Sequence, residues 1–137
     1  MNMNPFAAAR IHTHAHLPIA AAYCRKMNLM GIVDHLVPSQ MELPPGLAVQ
    51  ALVLDTLSGR SPLYRVQEFW EQEDRTLLLG PDVQPSLFND NNLGRALDAI
   101  FEAGPSRIIT EVGIHVAREF ALDVSAVSYD TTSINVW

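Results

Sequence analysis

Apolar and polar positions follow one another along this chain mainly in the rhythm of helices. Between Pro18 and Met30, the residues Ile19, Ala22, Tyr23, Met27 and Met30 recur at three- and four-residue steps. That spacing gathers them on one face and predicts a first helix ending near Gly31. Ile32 to Val37 is a short apolar stretch carrying Asp34 and His35, and Pro38 to Pro45 reads as a connecting loop. From Gly46 to Ser58 the residues are apolar almost all round, with Asp55 the one charge. Such a helix belongs in the centre of a bundle. Gly59 can close it in a left-handed conformation, and Ser61-Pro62 matches an N-cap followed by proline at the first helical position. The helix that follows is expected to turn Leu63, Val66 and Trp70 inward.

Gly80-Pro81 opens a loop that runs to Asn89, where Asn89 and Asp90 suit the start of a helix with Leu93, Ala96, Leu97, Ile100 and Phe101 on one face. Ala103-Gly104-Pro105 stops it. A last helix, from about Ser106 to Phe120, is expected to carry Ile109, Val112, Val116 and Phe120 inward. From Val124 the helical period is lost, and the β-branched, hydroxyl-rich run through YDTTSINVW predicts a strand. The expected fold class is therefore mainly α: a helical bundle of about five helices over residues 1–121, followed by a C-terminal β-strand within 122–137.

With 137 residues, 48% of them apolar and 18% charged, the chain has the profile of a globular domain with a single core. It is too short for a complete (β/α)₈ barrel, which takes about 250 residues. The net charge of −6 is the opposite of a free-standing basic nucleic-acid binder. Charge is unevenly spread: through Arg65 five basic and three acidic residues give +2, and the remainder carries four basic and twelve acidic residues. A polyanion would therefore meet the first half. Cys24 is the single cysteine and can form no internal disulfide, which suits a reducing compartment. No segment approaches the ~18 apolar residues of a membrane span and the amino terminus lacks a signal-peptide stretch, so a cytoplasmic location is expected.

Five groups of residues come into question for chemistry. His12, His14 and His16 in IHTHAHL would share one face of a strand and could bind zinc or a similar metal, which opens the alternative of a metal hydrolase. The competing reading is a solvated lead-in to the first helix. Asp34 and His35 are adjacent, so on a helix they point about 100° apart and do not form a working pair. His115 borders the apolar stripe of the last helix and reads as a packed histidine. Arg60 and Arg65 flank a helix start, where backbone N–H groups and guanidinium groups can jointly hold a DNA phosphate. Asp130 lies in a β-rich segment before Thr131, Thr132 and Ser133, where a carboxylate can offer oxygen ligands to a hard divalent cation.

Taken together, HLPIAAAYCRKMNLMGIVDHLVP, AVQALVLDTLSGRSPLYRVQEFW, FNDNNLGRALDAIFEAG and YDTTSINVW span nearly the whole chain. In that order they resemble the amino-terminal part of bacterial insertion-sequence transposases of the DDE type. The resemblance is to the subgroup in which a helical domain of unknown function precedes a ribonuclease H-like core. It implies that Asp130 matches the first acidic residue of the Asp-Asp-Glu triad, on the first strand of the catalytic sheet. In that family three carboxylates hold two Mg²⁺ ions for in-line attack on phosphodiesters. The sequence ends seven residues past Asp130, so the reading is of a truncated or frameshifted transposase, not catalytically competent alone and without Mg²⁺ of its own. The helical part is expected to bind the terminal inverted repeats of the element, through Arg10, Arg25, Lys26, Arg60 and Arg65, or to pair subunits. Its partners would then be DNA, a second copy or full-length transposase, with no membrane. The rival of another class is a non-catalytic helical dimerisation or interaction module.

Overall fold

Residues 15–128 are described by the computed structural model, and they form seven α-helices with two short 3-10 turns. In chain order these are α1 (Leu17–Lys26), α2 (Leu29–Leu36), α3 (Pro45–Ser58), α4 (Val66–Gln72), α5 (Arg75–Leu78), α6 (Asp90–Ala103) and α7 (Pro105–Glu119). The 3-10 turns are Leu63–Arg65, leading into α4, and Pro85–Phe88, leading towards α6. The mainly helical class is as expected, but the number of helices is seven rather than about five.

The difference begins at Asn28. A single helix through Met30 would keep this residue right-handed, but Asn28 adopts a left-handed conformation with φ 51°. Asparagine is one of the few side chains that tolerate it. The N–H groups of Met27 and Asn28 close α1 on the carbonyls of Tyr23 and Arg25, and the chain restarts as α2. The stretch Ile32–Val37 is therefore the body of a second helix and its cap. Further along, Asp74 caps the short α5 by accepting the Leu77 N–H at 3.0 Å, a start signal followed by too few residues to show a helical period.

α3 lies at the centre, touching α1, α2, α4 and α6. Ala48, Ala51 and Leu54 are buried along it, and small side chains there let its neighbours approach. The main core gathers Leu17, Ala21, Leu43, Leu54, Val66, Trp70, Phe88 and Leu93 around it. Trp70 is fully buried, 5.6 Å ring to ring from Phe88 and edge-on to Phe69 at 4.9 Å. A second, smaller core joins Cys24, Leu29, Val33, Val37 and Ile108. Burial pushes the Cys24 thiol above its ordinary pKa, against a smaller opposing pull from the charge of Arg25.

Three apolar faces are rotated from those expected, and Leu63, expected inward, is exposed. In α1 the buried face is Leu17, Ala21 and Cys24, and Ile19, Ala22 and Tyr23 are exposed. In α6 the stripe is Leu93, Ala96, Ile100 and Ala103, and Phe101 is 76% exposed. In α7 it is Ile108 and Val112, and Ile109 is 71% exposed. One residue along a helix is a turn of about 100°, enough to move Phe101 and Ile109 from core to surface. Residues 124–128 carry no strand. The rest of the expected strand, Asp130 included, lies outside the described residues. Among the described residues no helix is long and apolar enough to cross a membrane.

α2 and α3 approach closely at Gly46, in the first turn of α3. A Cβ built there would lie 2.8 Å from Met30 Cα, 2.9 Å from Asp34 Cγ and closer still to the Met30 carbonyl oxygen. Backbone cannot yield as a flexible side chain does. Gly46→Ala is therefore expected to destabilise the fold by about 1–3 kcal/mol, seen as a lower midpoint in urea unfolding. A midpoint equal to that of the native chain would contradict this packing.

Candidate functional site

The corner between α3 and α4 starts from the only charged residue of α3. Asp55 is 2% exposed. Its carboxylate Oδ2 accepts the Ser61 N–H at 2.9 Å, and its backbone carbonyl accepts the Arg60 N–H at 2.9 Å. Together these two bonds clasp the turn that follows α3. The turn itself runs through positive φ twice, at Gly59 (141°) and Arg60 (62°). Glycine adopts this readily, and an arginine does so only where its surroundings fix it. Asp55 supplies that fixing. Ser61 thus serves through its backbone N–H and makes no side-chain cap, and the 3-10 turn begins at Leu63 after Pro62.

The consequence is a geometric one. Arg60, on the clasped turn, and Arg65, at the end of the 3-10 turn, line a single cavity of about 330 Å³ together with Ser61, Glu68 and Phe69. Both arginines are exposed. Arg65 Nε donates to Glu68 Oε2 at 2.9 Å, and this bond and the Glu68 charge raise the guanidinium pKa further. The Arg60 side chain has no hydrogen-bond or ion-pair partner among the described residues.

The other residues singled out in the sequence are placed elsewhere. Arg25 donates to the Leu77 carbonyl at 3.3 Å, and the Lys26 ammonium sits 4.6 Å above the Phe120 ring. Asp34 and His35 point apart as their adjacency requires: Asp34 Oδ1 accepts the Gly46 N–H at 2.6 Å, and His35 lines a cleft between α2 and α7 that also holds His115. His16 Nε2 lies 2.8 Å from the Leu57 carbonyl oxygen. A carbonyl can only accept, so the ring donates there, tying the start of α1 to the end of α3. His12, His14, Arg10 and Asp130 lie outside the described residues. Among the described residues, no three His, Cys, Asp or Glu side chains come together as a metal site.

Two residues that sequence reasoning passed over matter to the frame around α4, Asp55 at its start and Arg75 at its end. Asp55 was visible as a lone charge on an apolar helix, and a lone charge in that setting needs a partner. Arg75 carried no such signal. Its guanidinium donates to the carbonyls of Trp70 at 2.5 Å and Val83 at 3.1 Å, tying the end of α4 to the loop beyond Gly80.

Residues 9–114 match the family described as Domain of unknown function (DUF4277), and the chain belongs to that family. No curated protein and no solved structure matches it.

Removing the clasp tests the corner directly. Asp55→Ala strips the Ser61 N–H of its acceptor and is expected to cost about 1–3 kcal/mol of unfolding free energy, whereas Asp55→Asn keeps an amide oxygen at that place and loses less. If the two variants unfolded alike in urea, the hydrogen bond to Ser61 would not be what holds the turn.

Proposed function

We propose that this chain is the amino-terminal helical module of a DDE-type DNA transposase and that it contributes binding rather than catalysis, touching DNA phosphate at the corner between α3 and α4. The observation that carries this reading is the shared cavity of Arg60 and Arg65. Two arginines five residues apart meet at one exposed place on a turn whose backbone is held from within by Asp55. Planar guanidinium groups suit phosphate oxygens, and contacts of this kind position a protein on DNA without reading its sequence. The four stretches that resemble the transposase family supply the context of terminal inverted repeats.

Only a few contacts are asked of the corner. The overall charge of −6 opposes long-range attraction to DNA, so the module would act beside the ribonuclease H-like core and not as an independent high-affinity binder. Mg²⁺ would be held by the carboxylates of that core, Asp130 first among them, and not by these helices. A second reading, pairing with another subunit or with full-length transposase, is favoured by one observation. Phe101 and Ile109, on successive helices, are 76% and 71% exposed, large apolar side chains that a partner would cover.

Fluorescence anisotropy with a duplex oligonucleotide in low salt separates the two. The native chain is expected to bind, and Arg60→Ala with Arg65→Ala to weaken binding about tenfold or more while reducing the salt-dependence slope by about two. Unchanged binding by the double variant would overturn the phosphate reading. If the native chain also sedimented as a dimer that Phe101→Glu dissociates, pairing would take its place.

A further inference from the structure

The cleft between α2 and α7 stands apart from the arginine corner and shares no residue with it. Its volume is about 280 Å³, at or just below the small end of the range of about 300–1,000 Å³ usual for ligand pockets. That is room for a compound of few heavy atoms. Asn28 and His35 border it from the α2 side, and Glu111, His115 and Arg118 from α7, over apolar surface that includes Ile114.

Three features give the cleft a direction. Positions 111, 115 and 118 are separated by four and three residues, so Glu111, His115 and Arg118 form a row on one face of α7. At 1.5 Å per residue, the backbone positions of Glu111 and Arg118 are about 10 Å apart along the axis. Phe120, just past the end of α7, stacks on Tyr23 at 5.8 Å and lies under Lys26, which brings the end of α7 to the end of α1. Asn28 follows two residues after Lys26. Hence α7 runs antiparallel to α2, with Arg118 at the Asn28 end of the cleft and Glu111 towards the His35 end. The Asn28 amide folds over Gly31, where a Cβ would meet its atoms at 3.0 Å or less.

None of the His35, Glu111, His115 and Arg118 side chains has a hydrogen bond or ion pair with a described residue. Arg118 is thereby free to meet a ligand, unlike Arg25, Arg65 and Arg75, which each donate to a protein oxygen, and like Arg60. Opposite charges at the two ends of a small cleft, with imidazoles between them and no protein partner for either, match a molecule that is itself bipolar.

We infer that the cleft between α2 and α7 binds a small bipolar molecule, with an oxyanion, phosphate or carboxylate, at Arg118 and Asn28 and a cationic or hydroxyl donor at Glu111. The two imidazoles, one on each helix, supply hydrogen bonds between the ends. A guanidinium meeting an oxyanion is a charge-assisted contact and carries most of the affinity. Glu111 repels a simple anion and so selects for a donor at the far end.

The probes are O-phosphoethanolamine, which carries both ends, and inorganic phosphate, which carries one. Each is titrated into the full chain while the ring signals of His35 and His115 are followed by NMR. The native chain is expected to bind O-phosphoethanolamine about tenfold more tightly than phosphate, a difference of about 1.4 kcal/mol. Arg118→Ala should weaken both by about tenfold, and Glu111→Gln should erase the preference while leaving phosphate bound. Arg95→Ala, on α6, serves as the control and should titrate as the native chain does. Histidine signals unmoved by either probe, equal affinity for the two, or a native titration in Arg118→Ala would each overturn the inference. None of these outcomes bears on DNA binding by Arg60 and Arg65.

Discussion

The fold depends on how α3 is held, because α1, α2, α4 and α6 all pack against it. Two carboxylates secure its ends. At the amino end Asp34 reaches across from α2 to the Gly46 N–H, and the missing side chain of Gly46 lets the Met30 backbone come into contact. At the carboxyl end the Asp55 carboxylate takes the Ser61 N–H, and the Asp55 backbone carbonyl takes the Arg60 N–H. Helix ends carry unsatisfied backbone groups that need partners when buried or half-buried, and here each partner also fixes where the next segment starts. The first sets the α2 to α3 approach; the second sets the turn into α4. His16, donating to the Leu57 carbonyl, adds α1 to the same end of α3.

Much of this was legible in the residues. The all-round apolar run of α3, the cap at Asn89 and the inward Trp70 follow from period and turn chemistry, and the structure places them so: Asn89 accepts the Asn92 N–H at 2.9 Å and Trp70 is fully buried. What escaped was of two kinds. Asn28 breaks a helix that periodicity alone would continue, because the break depends on a left-handed backbone that asparagine permits but does not announce. The inward faces of α6 and α7 were misplaced because several apolar residues lie side by side, and only the neighbouring helix decides whether Ile108 or Ile109 is covered. Partners distant in sequence are invisible to a local pattern. For the same reason Arg60 and Arg65 could be read as candidates, but their common cavity depends on a turn held by Asp55. His35 and His115 were noted separately, and nothing in the sequence joined them across a cleft.

The two candidate surfaces draw on different properties of one scaffold. The arginine corner is built on backbone geometry: a turn with two positive φ angles, clasped by a buried carboxylate, presents cationic side chains to solvent. The α2 and α7 cleft is built on helix spacing, with an acid and a guanidinium at its two ends. Both sit at places where α2 or α3 meets a neighbour, which lets a small helical domain with modest charge carry localised electrostatic features while its net charge remains −6.

The central claim is that the turn after α3 is preformed and rigid, so that Arg60 is presented by the fold rather than by a mobile loop. Native-state amide hydrogen exchange tests it at single residues. The Arg60 and Ser61 N–H groups are expected to exchange as slowly as the buried amides of α3, through the same opening event, and Asp55→Ala to speed these two amides while the middle of α3 stays protected. Rapid exchange of Arg60 and Ser61 in the native chain, with α3 fully protected, would contradict it.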